Sequence, residues 1–422
     1  MRLAVALWPF GGEIRQQDNR RQLCQTDIGQ NPAQIQEYSV FNKAEKTVRS
    51  DRLTLGGVVL QFDRAEIEVL ALCAWCKDLP VNGCRNIPPQ ILDDLRALGL
   101  VRQSRNKLGY RCTPEGFILL RRADMAYPQD KTYRTDRGAL MRRWQTAEIT
   151  SFFWRYGAKV FTEAPPAEKQ SNVFLPSFAL RRQKHANILG GTRLTGFYYA
   201  EKTVFIPYFI AAEHKGLYPD AEQRTFRAET LLCGRSPHIL YTGDGDLTEI
   251  IRTVSLRKEF PEKATTVNYT EAMDRFHCPL AIMPLSEDGM RQLRILSVPD
   301  HRQRLAQNLL GTAYLPPVSP PFDGRSKTEN ILIGIDCNIL RFEKAVRSEK
   351  RTRLFVLPFQ AETAQKITAG THTECFVLDL RETEAFLGLD KDLLRIDRTP
   401  FQTGKGEYIY VPPLGKTQSS GR

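Results

Sequence analysis

The chain has 422 residues, 41% hydrophobic and 26% charged, and carries a formal net charge of +12 at pH 7. That balance excludes a chain dominated by disorder, is long enough for about two or three domains with a sizeable core, and favours nucleic acid or an acidic partner. The apolar run Met1–Ala6 is too short for a secretory signal, and no stretch reaches the roughly 18 apolar residues of a membrane span, so a cytoplasmic protein without a membrane partner is expected. Nine scattered cysteines, an odd number, fit reduced thiols better than a disulfide framework.

Residues 1–55 are rich in Gln and Asn and read as an extension packed on the module next to it; Leu53–Gln61 is its clearest strand-like piece. In residues 56–126 the signals sharpen. Asp63 is a good N-cap, and Ile67, Leu70, Ala71 and Ala74, at i, i+3, i+4 and i+7, predict a helix to about Lys77. A second helix starts at Pro88 and Pro89, buries Ile91, Leu92, Leu95 and Leu98, and stops at Gly99. Leu100–Gln103 and Tyr110–Thr113 read as strands around the cationic turn Ser104–Gly109, and Thr113 with Pro114 opens a last helix. Helix, helix, basic hairpin and helix is the order of a winged helix.

Charge in this module is uneven. The exposed face of the second helix offers Gln90, Asp93, Asp94 and a single Arg96, and carboxylates repel phosphates, although an acid can accept from cytosine N4. Between Arg102 and Arg143 there are eleven Lys or Arg against four Asp or Glu, with Tyr110, Tyr127 and Tyr133 interleaved, so this window holds more than half of the net charge. Such a stripe is an electrostatic footprint for a polyanion. Arg102, Arg105, Lys107 and Arg111 on the wing, with Arg121 and Arg122 behind it, are the candidate phosphate contacts. The same stripe on a winged helix that binds an acidic protein is the alternative.

A basic connector, residues 127–137, leads into an α/β domain spanning 138–415. A helix is expected over about Gly138–Tyr156, with Leu140, Met141, Trp144, Ala147, Phe152 and Phe153 on a wide apolar face. Leu194–Tyr199 and Val204–Ile210 read as a hairpin, Arg181, Arg182, Lys184 and Arg193 either extend the basic track or solvate a loop, and Asp220–Cys233 reads as a helix. A short apolar strand, a polar turn and an amphipathic helix then recur from His238, Cys278, Arg353 and Cys375, with Asn330–Asp336 as a fifth strand. The pattern predicts one mostly parallel sheet covered by helices, crossed by a Pro-rich insertion at 314–327.

Ligands of open α/β sheets sit beyond the carboxyl ends of strands. The best candidate there is Gly243-Asp244-Gly245-Asp246, where two carboxylates are placed to hold Mg²⁺ for phosphoryl transfer or, in the preferred reading, to cap the next helix. A metal-dependent nuclease of the restriction-endonuclease kind would show an Asp on one strand and Glu-x-Lys on the next, and no such pair is found. Walker, GxGxxG, GxSxG and HExxH motifs are also missing. Cys73 and Cys76 form a CxxC inside a helix without a matching pair and read as buried small hydrophobes, and Cys278 beside His277 reads as a strand-end thiol.

LRALGLVRQSRNKLGYRCTPEGFILL, the helix QTAEITSFFWRYGAKVF and the hairpin GTRLTGFYYAEKTVFIPYFI followed by EQRTFRAETLL resemble the replication-relaxation family of plasmids and conjugative elements, over about Phe62–Leu232. The resemblance implies a winged helix joined to a degenerate nuclease-like α/β domain and DNA binding in a mobile element; it brings no catalytic residues. The acidic second helix departs from a dedicated DNA reader. The expectation is a non-catalytic, cofactor-free protein binding double-stranded DNA. A Mg²⁺-dependent nuclease using Asp244 and Asp246, an acidic protein partner and a homodimer stay open.

Overall fold

The computed structural model describes residues 60–80, 85–104, 109–128, 137–181, 187–211, 216–260, 265–389, 396–403, 406 and 410–411. The expected extension at 1–55 and most of the basic connector lie outside the described residues. The chain divides into two compact units, residues 1–60 with 411–422 and residues 61–410. The second holds every element named below.

Helix α1 (Arg64–Cys76) opens with reciprocal caps: Asp63 Oδ1 accepts from the Glu66 N–H and Glu66 Oε2 from the Asp63 N–H, both at 2.8 Å. Such a cap contributes about 1 kcal/mol. Ile67, Leu70, Ala71 and Ala74 are all buried, as their spacing predicts. The left-handed Lys77 (φ 62°) ends the helix.

Next come β1 (Leu79–Pro80), α2 (Pro89–Ala97), β2 (Val101–Gln103), β3 (Gly109–Cys112) and α3 (Pro114–Arg122). The sheet is antiparallel with order β1-β3-β2, which makes the module a winged helix. Strand β1 has no sequence signature, because two residues cannot show a period of two. Thr113 Oγ1 accepts from the Gly116 N–H at 3.1 Å. At Gly116 an added Cβ would lie 2.5 Å from the Leu100 carbonyl oxygen, so only glycine lets α3 sit this close to the hairpin.

Helix α4 (Arg137–Arg155) joins the winged helix to the first large sheet. Trp154 Nε1 donates to Glu68 Oε2 at 2.8 Å on α1. Phe153 stacks on Phe174 and Tyr198, with centroids 4.3 and 4.8 Å away. The expected single apolar face is exceeded: Gln145, Thr146, Glu148, Thr150 and Ser151 are buried as well. The hydroxyls of Thr146, Thr150 and Ser151 donate to carbonyls of their own helix, which lets polar residues enter the core.

The first sheet runs β4 (Val173–Pro176), β5 (Gly196–Tyr199), β6 (Thr203–Ile210), β7 (Ser236–Gly243) and β8 (Leu280–Ile282) in chain order. Its first two pairings are antiparallel, its last two parallel. Short helix α5 (Ser177–Arg181) follows β4, and the expected helix at 220–233 is two, α6 (Pro219–Phe226) and α7 (Glu229–Leu232). Helices α8 (Leu247–Ser255), α9 (Tyr269–Phe276), α10 (Glu287–Ser297) and α11 (His301–Leu310) continue the chain.

A second sheet holds β9 (Gly324–Arg325), β10 (Asn330–Ile333), β11 (Thr352–Val356) and β12 (Thr373–Val377), with α12 (Ile339–Val346), α13 (Ala361–Thr368) and α14 (Leu380–Leu387). The fold is therefore α/β with a mostly parallel character, but the expected single sheet is two. Asn330–Ile333 pairs with Thr352–Phe355, not with the strand from His238, and β9 pairs antiparallel with β10 from inside the Pro-rich stretch. The two sheets meet where the Ile282 N–H donates to the Asp336 carbonyl at 2.8 Å, and Gln292 Nε2 donates to the carbonyls of Ile282 and Ile335. Among the described residues, no helix is long and apolar enough to cross a membrane.

Beside this seam Arg341 bonds Asp323 at 2.7 Å and also Asp336, which Arg302 approaches at 3.4 Å. Burial works against ionisation of Asp336, yet Arg341 and Arg302 hold its carboxyl below the usual range. His301, buried, and His238, half-buried, lie near this cluster, each with a buried, unpartnered Nε2. Burial pushes their imidazoles down to about 3 and about 4, with the Arg302 charge adding to it and Asp336 opposing.

Both rings are thus neutral in the fold, while the unfolded chain takes up protons below about 6.5. Their contribution to stability is full above that pH and lost as pH falls toward the folded values. Glu148 and Glu222, pushed up by burial to about 8 and about 7, titrate in the opposite sense, so the effect must be read as a difference between variants. The stability advantage of wild type over His238→Phe in urea should shrink by on the order of 2 kcal/mol between pH 7.5 and 5. An unchanged difference would mean that His238 keeps an ordinary pKa.

Candidate nucleic-acid interface

Helix α2 presents Gln90, Asp93, Arg96 and Ala97 to solvent. Arg96 lies 3.5 Å from Asp93, and Gln90 Nε2 donates to Asp94 Oδ1 at 2.9 Å. Asp93 already faces the one cation of this surface, so the face is open but acidic.

On the hairpin, Arg102 is exposed and stands directly across the ladder from Arg111. Two like charges at this spacing repel. The fold relieves it by turning Arg111 onto Asp78, whose side chain is 1% exposed: Nη2 donates to Oδ2 at 2.9 Å and Nε to Oδ1 at 3.3 Å. Arg111, expected as a phosphate contact, thus has a structural partner. Asp78 also requires glycine beside it, since a Cβ at Gly109 would come within 2.3 Å of its Oδ1.

The wing is closed at its base by the Ser104 N–H donating to the Gly109 carbonyl at 2.7 Å and the Gly109 N–H to Ser104 Oγ at 3.1 Å. Arg105 and Lys107 lie outside the described residues. On the last turn of α3, Arg121 and Arg122 are exposed, and Arg121 Nη1 donates to the Tyr127 hydroxyl at 3.1 Å. Tyr127 packs on Phe117 with centroids 5.0 Å apart, which fixes where the start of the connector leaves the helix. Arg181 does not extend this track; its guanidinium donates to the carbonyls of Leu189 and Thr192.

The acids after β7 have assigned roles. Asp246 Oδ1 accepts from the Glu249 N–H at 2.9 Å as the cap of α8, and Glu249 returns the bond to the Asp246 N–H. Asp244 pairs at 2.7 Å with Arg85 of the winged-helix module, a contact across 159 positions that no local pattern announces. Strands β4 to β8 carry no Asp or Glu, and among the described residues no group of three or more His, Cys, Asp or Glu is placed to hold a metal. Cys73 and Cys76 are both buried in α1, where burial pushes the Cys76 thiol up to about 12. Burial also raises the Cys278 thiol, the reverse of nucleophile activation.

No protein-family model, curated protein or solved structure matches the chain.

The two arginines of the hairpin should separate cleanly. Arg111→Ala leaves the Asp78 carboxylate without its cation and should lower stability by roughly 1–3 kcal/mol, whereas Arg102→Ala should stay within about 0.5 kcal/mol of wild type. Equal urea midpoints for the two variants would contradict the structural role given to Arg111.

Proposed function

We propose that this is a non-catalytic DNA-binding protein of a bacterial mobile genetic element, of the replication-relaxation kind, acting in replication, transfer or maintenance. The observation that supports this reading most is that Arg102, Arg121 and Arg122 stand exposed with no carboxylate partner among the described residues. Arg111, Arg181, Arg235 and Arg341 instead make hydrogen bonds to buried or backbone acceptors. Cations with solvated guanidinium groups are those that exchange counterions with a phosphate backbone.

Phosphate contact in this reading comes from the hairpin and the end of α3, and α2 stays near the base edges or off the duplex. The Mg²⁺-nuclease reading has lost its strongest support, because capping and the pair with Arg85 account for Asp246 and Asp244.

Fluorescence anisotropy with duplexes of unrelated sequence tests the proposal. Affinity should fall steeply between 50 and 200 mM salt, by roughly 0.9 log units per phosphate contact for each tenfold rise in salt. Arg102→Ala with Arg121→Ala and Arg122→Ala, and separately Arg105→Ala with Lys107→Ala, should weaken every duplex alike and flatten that slope by about one unit for each phosphate no longer neutralised. Unaltered affinity and slope in both sets would remove the wing from DNA binding.

A further inference from the structure

The end of α3 and the start of the connector are joined by one side-chain hydrogen bond, and it fixes where a cation points. Arg121 Nη1 donates to the Tyr127 hydroxyl at 3.1 Å. A phenol oxygen that accepts a bond still has its own proton to give, and among the described residues nothing takes it. The guanidinium spends one donor on Tyr127 and keeps the rest for solvent. Two donor groups therefore stand side by side at the surface, each with an unused hydrogen.

Tyr127 is held in place before any ligand arrives. Its ring packs on Phe117, centroids 5.0 Å apart. On one side of it in the chain, the Ala126 carbonyl accepts from Nε1 of Trp75, a 2% exposed side chain of α1, at 2.8 Å. On the other side Pro128 is buried. An exposed arginine loses rotamer freedom when it grips a ligand, and one already tied to a fixed hydroxyl loses less.

The carbonyl end of a helix ordinarily repels an anion. Here the carbonyls of Leu119, Leu120 and Arg121 already accept from the N–H groups of Ala123, Met125 and Asp124. Arg121 and Arg122, both exposed, also outnumber Asp124 at this end. A positive surplus thus remains, which the face of α2 lacks.

We propose that Arg121 and Tyr127 form a two-donor clamp for one backbone phosphate of DNA, the guanidinium taking one non-bridging oxygen and the Tyr127 O–H the other. The clamp rests on the DNA-binding reading above and adds an uncharged residue to an interface defined there by arginines. Tyr127 both touches the phosphate and positions Arg121 on it. Charge-assisted bonds of this kind are the stronger ones, and neither reads a base.

The test is a double-mutant cycle on the full chain, read by fluorescence anisotropy with duplexes of unrelated sequence between about 50 and 200 mM salt. Tyr127→Phe keeps the ring on Phe117 and removes only the hydroxyl; a urea midpoint equal to that of wild type is expected. Its affinity should fall about three- to tenfold on every duplex and at every salt concentration, with the salt slope unaltered because no cation is lost. Arg121→Ala should instead flatten the slope by about 0.9. Added to Arg121→Ala, Tyr127→Phe should cost no more than about twofold, since two residues on one phosphate are coupled. Tyr127→Phe binding within about twofold of wild type, or losing the same factor in both backgrounds, overturns the clamp. Salt-dependent binding by wild type would in that case still uphold the DNA-binding reading, whereas a wild type that binds no duplex overturns both.

Discussion

Burial of the second half of α4, Gln145–Trp154, on every side is the constraint on which the rest of the molecule depends. Its Trp154 is bonded to α1 of the winged helix, and its Phe153 is stacked into β4 and β5 of the first sheet. Aromatic stacking of this kind adds about 0.5–1.5 kcal/mol per pair beyond area burial. A winged helix on a loose tether would place its wing anywhere; one packed through α4 has a fixed direction. The C-terminal segment reinforces this: the carbonyls of Thr399 and Asp397 accept from the N–H groups of Arg64 and Ala65, the first turn of α1, and Arg398 pairs with Asp63 at 2.7 Å. Those N–H groups have no acceptor within the helix, so residues more than 330 positions away complete its start.

The seam between the two sheets follows a different logic. Asp323, Asp336, Arg302 and Arg341 bring charge into the interior, which costs more than an apolar contact unless each group is paired. Here Arg341 also donates to the carbonyls of Ile333 and Pro321, so its fork is filled by backbone as well as by carboxylates. The geometry ties the Pro-rich stretch, the end of β10 and α12 to one point. A buried pair that requires three segments at once acts as a register pin, whatever its net contribution to stability.

Local signals explain what was legible in the sequence. Asp63, Pro88, Gly99, Thr113 and Pro114 mark helix ends through contacts within a turn or two, and the winged helix was readable because nearly all its elements carry such marks. The strand-and-helix repeats of the second half were readable for the same reason. Their assignment to two sheets was not, because Ile331–Ile333 and Leu280–Ile282 are equally apolar and carry no local mark of the strand each will pair with. Strand β4 lay hidden in a four-residue run that ends in Pro176. At the candidate sites, capping by Asp246 was readable from its place between a strand and a helix, while Asp78 with Arg111 and Asp244 with Arg85 join residues from distant segments and left no periodic trace.

The division of charge within the winged helix bears on how it would meet DNA. A recognition helix normally enters the major groove with phosphates on both flanks, and carboxylates there face the highest density of negative charge. On α2 the two acids are countered by Arg96 alone, so deep insertion would set uncompensated carboxylates against phosphate. Cations on the hairpin and at the end of α3 are free of that conflict. Contact led by those positions neutralises phosphates without reading bases, so affinity would come from the number of phosphates neutralised. Any preference for sequence would then arise from the ease of deforming the duplex toward the wing, or from a cytosine amino group offered to Asp93.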